Sequence, residues 1–137
     1  MPATVEKVLG KPIVLVEYHG HITTDDARAV FAQIAGLLDN YGAPLYRITR
    51  VDCDNAHTSF DEVLMLTTLS SKGRRGSATD PDIKTVLVGE HLLIDLYIDA
   101  MRQDAFGGVE IPLFDTLDDA LEHVREELHL GGAGSGV

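Results

Sequence analysis

The chain has 137 residues, 45% of them hydrophobic, and carries 11 Lys and Arg against 22 Asp and Glu, a formal charge of -11. That length suits one domain able to bury roughly two thirds of its unfolded surface, and the charge repels phosphate backbones and anionic head groups, which argues against nucleic-acid and membrane partners. A single cysteine, Cys53, rules out an intrachain disulfide and a cysteine metal cluster and fits a reducing, cytoplasmic setting.

Taken in order, Thr4 to Leu9 and Ile13 to Tyr18 are two β-leaning runs joined at Gly10-Lys11-Pro12, so the chain is expected to open with a hairpin. After His19-Gly20-His21, Thr23 or Thr24 can cap a helix whose first turn holds Asp25 and Asp26. Ala27, Val30, Phe31, Ile34, Leu38 and Tyr41 recur at helical spacing until Gly42 and Pro44 end the run. Leu45 to Val51 reads as the third strand. By the two-residue period Arg47 and Arg50 fall on its opposite faces, so at least one of them must find a carboxylate or an edge.

The polar stretch Asp52-Cys53-Asp54-Asn55-Ala56-His57 follows, and Ser59 with Glu62 has the spacing of a capping box for a second helix through Phe60, Val63, Leu64, Thr67 and Leu69. Residues 72 to 80, KGRRGSATD, form the most loop-like internal segment and are expected to be mobile. From Pro81 to Asp115 the pattern becomes apolar run, helix closed by Gly107-Gly108, apolar run: a βαβ unit with parallel strands at Ile83 to Val88 and Val109 to Phe114. A last helix begins near Asp115 or Thr116, turns Leu117, Ala120, Leu121, Val124 and Leu128 inward, and is expected to stop before a flexible glycine-rich tail, 131 to 137. The predicted fold is a single α/β domain over residues 1 to 130, of order ββαβαβαβα. It has a mixed, mostly parallel sheet of about five strands, with four helices covering its faces.

This order, with a leading hairpin and a serine at the start of the helix after strand three, resembles the STAS family, the sulphate-transporter and anti-sigma-factor-antagonist domain, over residues 3 to 128. The resemblance implies a non-enzymatic regulatory module that binds a partner protein. Antagonist members are switched by phosphorylation of a serine beside that helix, which places Ser59, with Thr58 next to it, at the phospho-acceptor position. The chain reads Thr58-Ser59-Phe60-Asp61-Glu62 there, in place of the family's Asp-Ser-Ser/Thr-Gly pattern.

Other residues invite further readings. Asp52 and Asp54 at the end of a strand have the look of a Mg²⁺-dependent phosphatase dyad, although Ala56 stands where that pattern expects Thr or Val. As loop residues they would cap turns or contact a partner. Arg74 and Arg75 are the one basic pair in a mobile segment, with Ser77 just beyond, and are candidates for an anion or partner contact. The histidines show no metal-ligand spacing, and no cofactor or metal is expected.

In the helix His91 to Phe106 the polar stripe Asp95, Asp99 and Arg102 is narrow. Leu93, Tyr97 and Met101 flank that stripe and are candidates for a homodimer interface, or for the wall of a pocket holding a small apolar or amphipathic ligand. The sequence thus favours a non-catalytic interaction module, with a ligand carrier and a phosphatase as the two alternatives.

Overall fold

A computed structural model describes residues 3–19, 23–42, 44–51, 60–70, 75–89 and 92–135. Its elements are β1 (Ala3–Lys7), β2 (Ile13–Tyr18), α1 (Thr24–Tyr41), β3 (Leu45–Val51), α2 (Phe60–Ser70), β4 (Ile83–Val88), α3 (Leu92–Arg102), the 3-10 turn Asp104–Phe106, β5 (Leu113–Phe114) and α4 (Leu117–Ser135). The five strands lie side by side in chain order; β1 is antiparallel to β2, and every other pair is parallel. This is the mixed sheet that the leading hairpin and the βαβ unit predict.

Sequential order has a geometric consequence. Right-handed crossovers that each step one strand in the same direction must place their helices on the same face. Accordingly α1 packs on Val14, Val16, Leu45 and Ile83, and α3 packs on Leu87, all on one side of the sheet. α4, free of a crossover, closes the other side: Ala120 and Val124 meet Ile13, Tyr46, Ile48, Val86 and Val88. The alternation of inward residues along β3 sends Tyr46 and Ile48 to α4, and Leu45, Arg47 and Thr49 to the face under α1 to α3.

Local chemistry sets the ends of the elements. Gly10 has φ 72, which lets the β1–β2 turn close so that the Val8 N–H donates to the Ile13 carbonyl at 2.9 Å. Thr23 caps α1 through a reciprocal pair: Asp26 N–H donates to Thr23 Oγ1 at 3.2 Å, and Thr23 N–H donates to Asp26 Oδ2 at 2.9 Å. Such a cap contributes about 1 kcal/mol. At α4, Thr116 Oγ1 accepts from Asp119 N–H at 3.1 Å.

Three boundaries and the packing of one residue differ from expectation. Only Leu113 and Phe114 of the run from Val109 pair as a strand, because the Val109 N–H is turned back to the Met101 carbonyl at 2.8 Å and Pro112 has no N–H to give. The helix predicted through Phe106 stops at Arg102 and continues as a 3-10 turn. Tyr41 ends α1 64% exposed instead of packing inward, with Lys7 Nζ 4.6 Å above its ring. α4 runs on to Ser135, through glycines read as a tail. No proline interrupts the segment, and propagating a formed helix through glycine costs only about 1 kcal/mol per residue.

Candidate functional site

The polar segment 52 to 59 follows Val51, the last residue of β3, and precedes Phe60, the first residue of α2. Asp52, Asp54, Thr58, Ser59 and Arg74 lie outside the described residues. Arg75 is described, and its guanidinium donates to Asp39 Oδ1 at the end of α1, with both side chains largely exposed. An exposed pair of this kind adds little to stability, although it ties the start of the 75–80 turn to α1.

The α3 candidates are corrected. Met101 is fully buried, together with Ile94 and Ile98, against Ala78, Leu87 and Ile111. The Tyr97 hydroxyl is spent within the chain, donating to Ser70 Oγ of α2 at 2.7 Å. Ile94, Ile98 and Met101 of α3 are therefore covered within the chain, so Met101 is not available to a second copy, while Tyr97 is partly buried. The side chain of Leu93 is outside the described residues.

The expectation of a mobile loop is also overturned for its described part. Ser77, Ala78 and Asp80 are buried, and Gly76 sits against the backbone of Phe31 in the middle of α1. A Cβ at Gly76 would stand 2.1 Å from the Phe31 carbonyl oxygen, and its φ of +84 is a conformation that only glycine adopts freely. The turn is held by Asp80, whose Oδ2 accepts from Gly76 N–H at 2.8 Å and whose Oδ1 accepts from Asp82 N–H at 2.9 Å. Burial also removes Ser77, at 0% exposure, as a modification site in the folded chain.

Beneath this turn lies a cluster that the sequence reading did not assemble. Arg47 is 5% exposed; its Nη1 donates to the Gly76 carbonyl at 2.6 Å and its Nη2 to Thr85 Oγ1 at 2.9 Å. The Phe31 ring stacks near the guanidinium, with 5.6 Å from Cζ to the ring centroid. Arg47 Nε is buried with no hydrogen-bond partner. Among the described residues the acceptors bonded to the guanidinium are neutral, and the Asp80 carboxylate, which accepts from the two turn amides, acts on it electrostatically. Of the two β3 arginines, Arg50 is exposed, and the buried Arg47 is answered by a backbone carbonyl and a hydroxyl.

The electrostatics follow from burial. Desolvation lowers the pKa of the Arg47 guanidinium below its usual value, opposed by Tyr97, Tyr18 and Asp80. Burial pushes the Tyr18 phenol up to about 12, with the Arg47 charge working against it. Tyr97 is raised by the same cause, and its bond to Ser70 and the Arg47 charge moderate the rise. Both phenols are neutral hydrogen-bonding groups at physiological pH.

Chemically, the cluster offers donors and no activated nucleophile. Among the described residues no group of three or more His, Cys, Asp or Glu could hold a metal ion, and no helix is long and apolar enough to cross a membrane. Two signals in the sequence point to the cluster. Arg47 shares the parity of Leu45 and Thr49 on β3, and Gly76 is followed by Ser77, Thr79 and Asp80, residues that build turns through their own side chains.

No model of a known protein family and no curated protein sequence matches the chain. Among solved structures it is similar to an anti-sigma factor antagonist from Mycobacterium paratuberculosis, at 20% identity over 90% of this chain and 92% of that one, with a TM-score of 0.48. It is also similar to an uncharacterized protein of the DUF3478 family from Shewanella loihica PV-4, described as having a SpoIIAA-like fold. That match has 14% identity over 88% of this chain and 90% of that one, with a TM-score of 0.50. At such identities a likeness speaks for the fold alone. With the sheet order and helix placement above, the chain has the SpoIIAA-like fold of STAS-type domains.

Proposed function

We propose that the chain is a non-catalytic protein-interaction module of the cytoplasm whose partner-facing surface is α2 with the segment 52 to 59 that leads into it. The observation that carries this reading is Met65. It stands 55% exposed on α2, while Thr67, Leu69 and Ser70 of the same helix are buried. An exposed methionine offers an adaptable apolar contact, of the kind that partner-binding surfaces use.

Other observations support the same reading. Of the buried polar side chains, Arg47 and Asp80 are engaged in holding the 75–80 turn. The STAS-like fold is in keeping with a binding module, and the family resemblance puts the phospho-acceptor at Ser59, with Thr58 beside it, where a charge would alter a partner's approach to α2. Asp52, Asp54 and Arg74 are further contact candidates on this reading, and Arg75 is one insofar as its pair with Asp39 can open.

A photo-crosslinking residue in place of Met65, compared in the native host with one in place of Tyr41, tests this. A discrete protein adduct at position 65 that is absent at position 41 is expected, and Ser59→Asp should change its yield. Equal or absent adducts at both positions would refute the surface. Mg²⁺-dependent phosphate-ester hydrolysis that is lost in Asp52→Asn would overturn the non-catalytic reading in favour of a phosphatase.

A further inference from the structure

We propose that β1 is a docking edge for a second copy of this chain: two β1 strands pair antiparallel about a two-fold axis at Val5 and join the two five-stranded sheets into one. The edge lies apart from the α2 surface, and neither reading depends on the other.

The sheet ends in two edge strands of different quality. At β5 only Leu113 and Phe114 pair, and Pro112 has no N–H to offer, so that edge is too short to hold another strand. β1 is five residues long, holds no proline and pairs with β2 in unbroken register, without a bulge. The backbone bonds tell which of its groups point outward. The Val8 N–H donates to the Ile13 carbonyl at 2.9 Å, and the Tyr46 N–H donates to the Pro12 carbonyl at 2.8 Å. By the alternation of a ladder the first bond turns the backbone of Glu6 and Thr4 toward β2, and the second turns that of Val14, Val16 and Tyr18 toward β3. Both leave the N–H and C=O groups of Ala3, Val5 and Lys7 on the outer side, where no backbone group meets them among the described residues. Edges are commonly blunted by a proline, a bulge or a lysine held across them. Here Lys7 is folded back: its Nζ donates to the Val8 and Lys11 carbonyls and lies 4.6 Å above the Tyr41 ring.

The sequence of the strand selects its occupant. The outward residues 3, 5 and 7 are symmetric about Val5, so a second β1 running the opposite way answers all of them: Val5 with Val5, and Ala3 with Lys7. On the face where Ala3, Val5 and Leu37 pack on the α1 core, the two Val5 side chains meet and carry that core across the axis. On the other face the exposed Glu6 stands opposite Thr4 of the second copy, and no like charges are opposed. Moving the axis to Glu6 or Lys7 sets that residue against itself, so charge and backbone together fix the register. A pair joined along one strand is small, and therefore weak and reversible.

The test uses the purified full chain in moderate salt, which screens the charge of -11 on each copy. At about 0.2 mM, well above the ~10 µM Kd of a weak specific pair, light scattering should report a dimer. Quenched amide exchange at that concentration should find the Val5 and Lys7 N–H protected, and dilution to about 1 µM should release both, while the Glu6 N–H, bonded inside the sheet, keeps its protection. Val5→Pro removes the central outward donor and spares the ladder to β2, so it should fold and self-associate about tenfold more weakly or worse. A wild type that stays monomeric at the higher concentration, or a dimer in which Val5 and Lys7 exchange freely, would overturn the proposal. So would Val5 protection that arises only when another protein is added, which would give the edge to a different partner. If Val5→Pro does not fold, the alternation in the wild type decides alone; if it folds and dimerises as tightly as the wild type, the β1 edge is not the interface.

Discussion

The two faces of this sheet are built on different principles. Under α4 the core is apolar almost throughout: Ile13, Tyr46, Ile48, Val86, Val88, Ala120 and Val124 close on one another, and cohesion comes from area removed from water. Under α1 to α3 the helices also bring apolar residues, but the space between them is filled by the 75–80 turn. That turn is fixed by directional bonds with Arg47 and Asp80 and by the contact of Gly76 with α1. An apolar face tolerates small changes of volume because its contacts are many and weak. A face keyed by a buried charge and a glycine has few permitted states.

The contrast can be broken most severely at Gly76. Gly76→Ala forces a Cβ against the Phe31 carbonyl in a backbone conformation unfavourable to alanine, and the combined overpacking and strain should cost on the order of 4 kcal/mol or prevent folding. Chemical denaturation read by circular dichroism decides this. On the opposite face Val124→Ala, at a position with no exposure, should cost about 2 to 3 kcal/mol by cavity formation and leave the 75–80 turn intact. If Gly76→Ala proves milder than Val124→Ala, the two faces do not differ in the way described.

Smaller effects sharpen the same comparison. Tyr97→Phe removes the donor to Ser70 Oγ and should cost about 1 kcal/mol, with faster amide exchange in α2 and none of that change in α4. The smallest effect at neutral pH, where it vanishes, belongs to Tyr18. Its phenol ionises near 10 in the unfolded chain and about 12 in the folded one, so between those values the unfolded state releases its proton first. Stability should be independent of this group below pH 10 and fall as pH rises toward 12. Urea midpoints across that range should diverge as pH rises above 10, the wild type falling relative to Tyr18→Phe; parallel curves would show that Tyr18 is not buried as described.

Much of the fold is legible in the sequence, because its strongest signals are periodic. The inward residues of α1 from Ala27 to Leu38, the βαβ unit and the hairpin at Gly10 each rest on a repeat or a turn that local chemistry dictates. The misreadings are cases where tertiary contacts override composition. Residues 75–80 look like a solvated loop because they are small and polar, yet Ser77, Thr79 and Asp80 are suited to bonding within a turn, and only the approach to Phe31 buries them. Whether the apolar arc of α3 is covered within the chain or by a partner is open in the sequence, because nothing local announces that α2 brings Ser70 to the Tyr97 hydroxyl. Arg47 could be assigned a face by parity, but its partners lie 29 and 38 residues away, beyond any local pattern.

The central claim, that the 75–80 turn is part of the folded core and not a surface loop, is tested most directly by native-state hydrogen exchange on the unmodified protein. The Gly76 N–H, buried and bonded to Asp80, and the Asp82 N–H should exchange only through openings as costly as those that expose Ile48 in the middle of the sheet. A Gly76 amide that exchanges at the rate of an exposed loop while Ile48 stays protected would contradict the account.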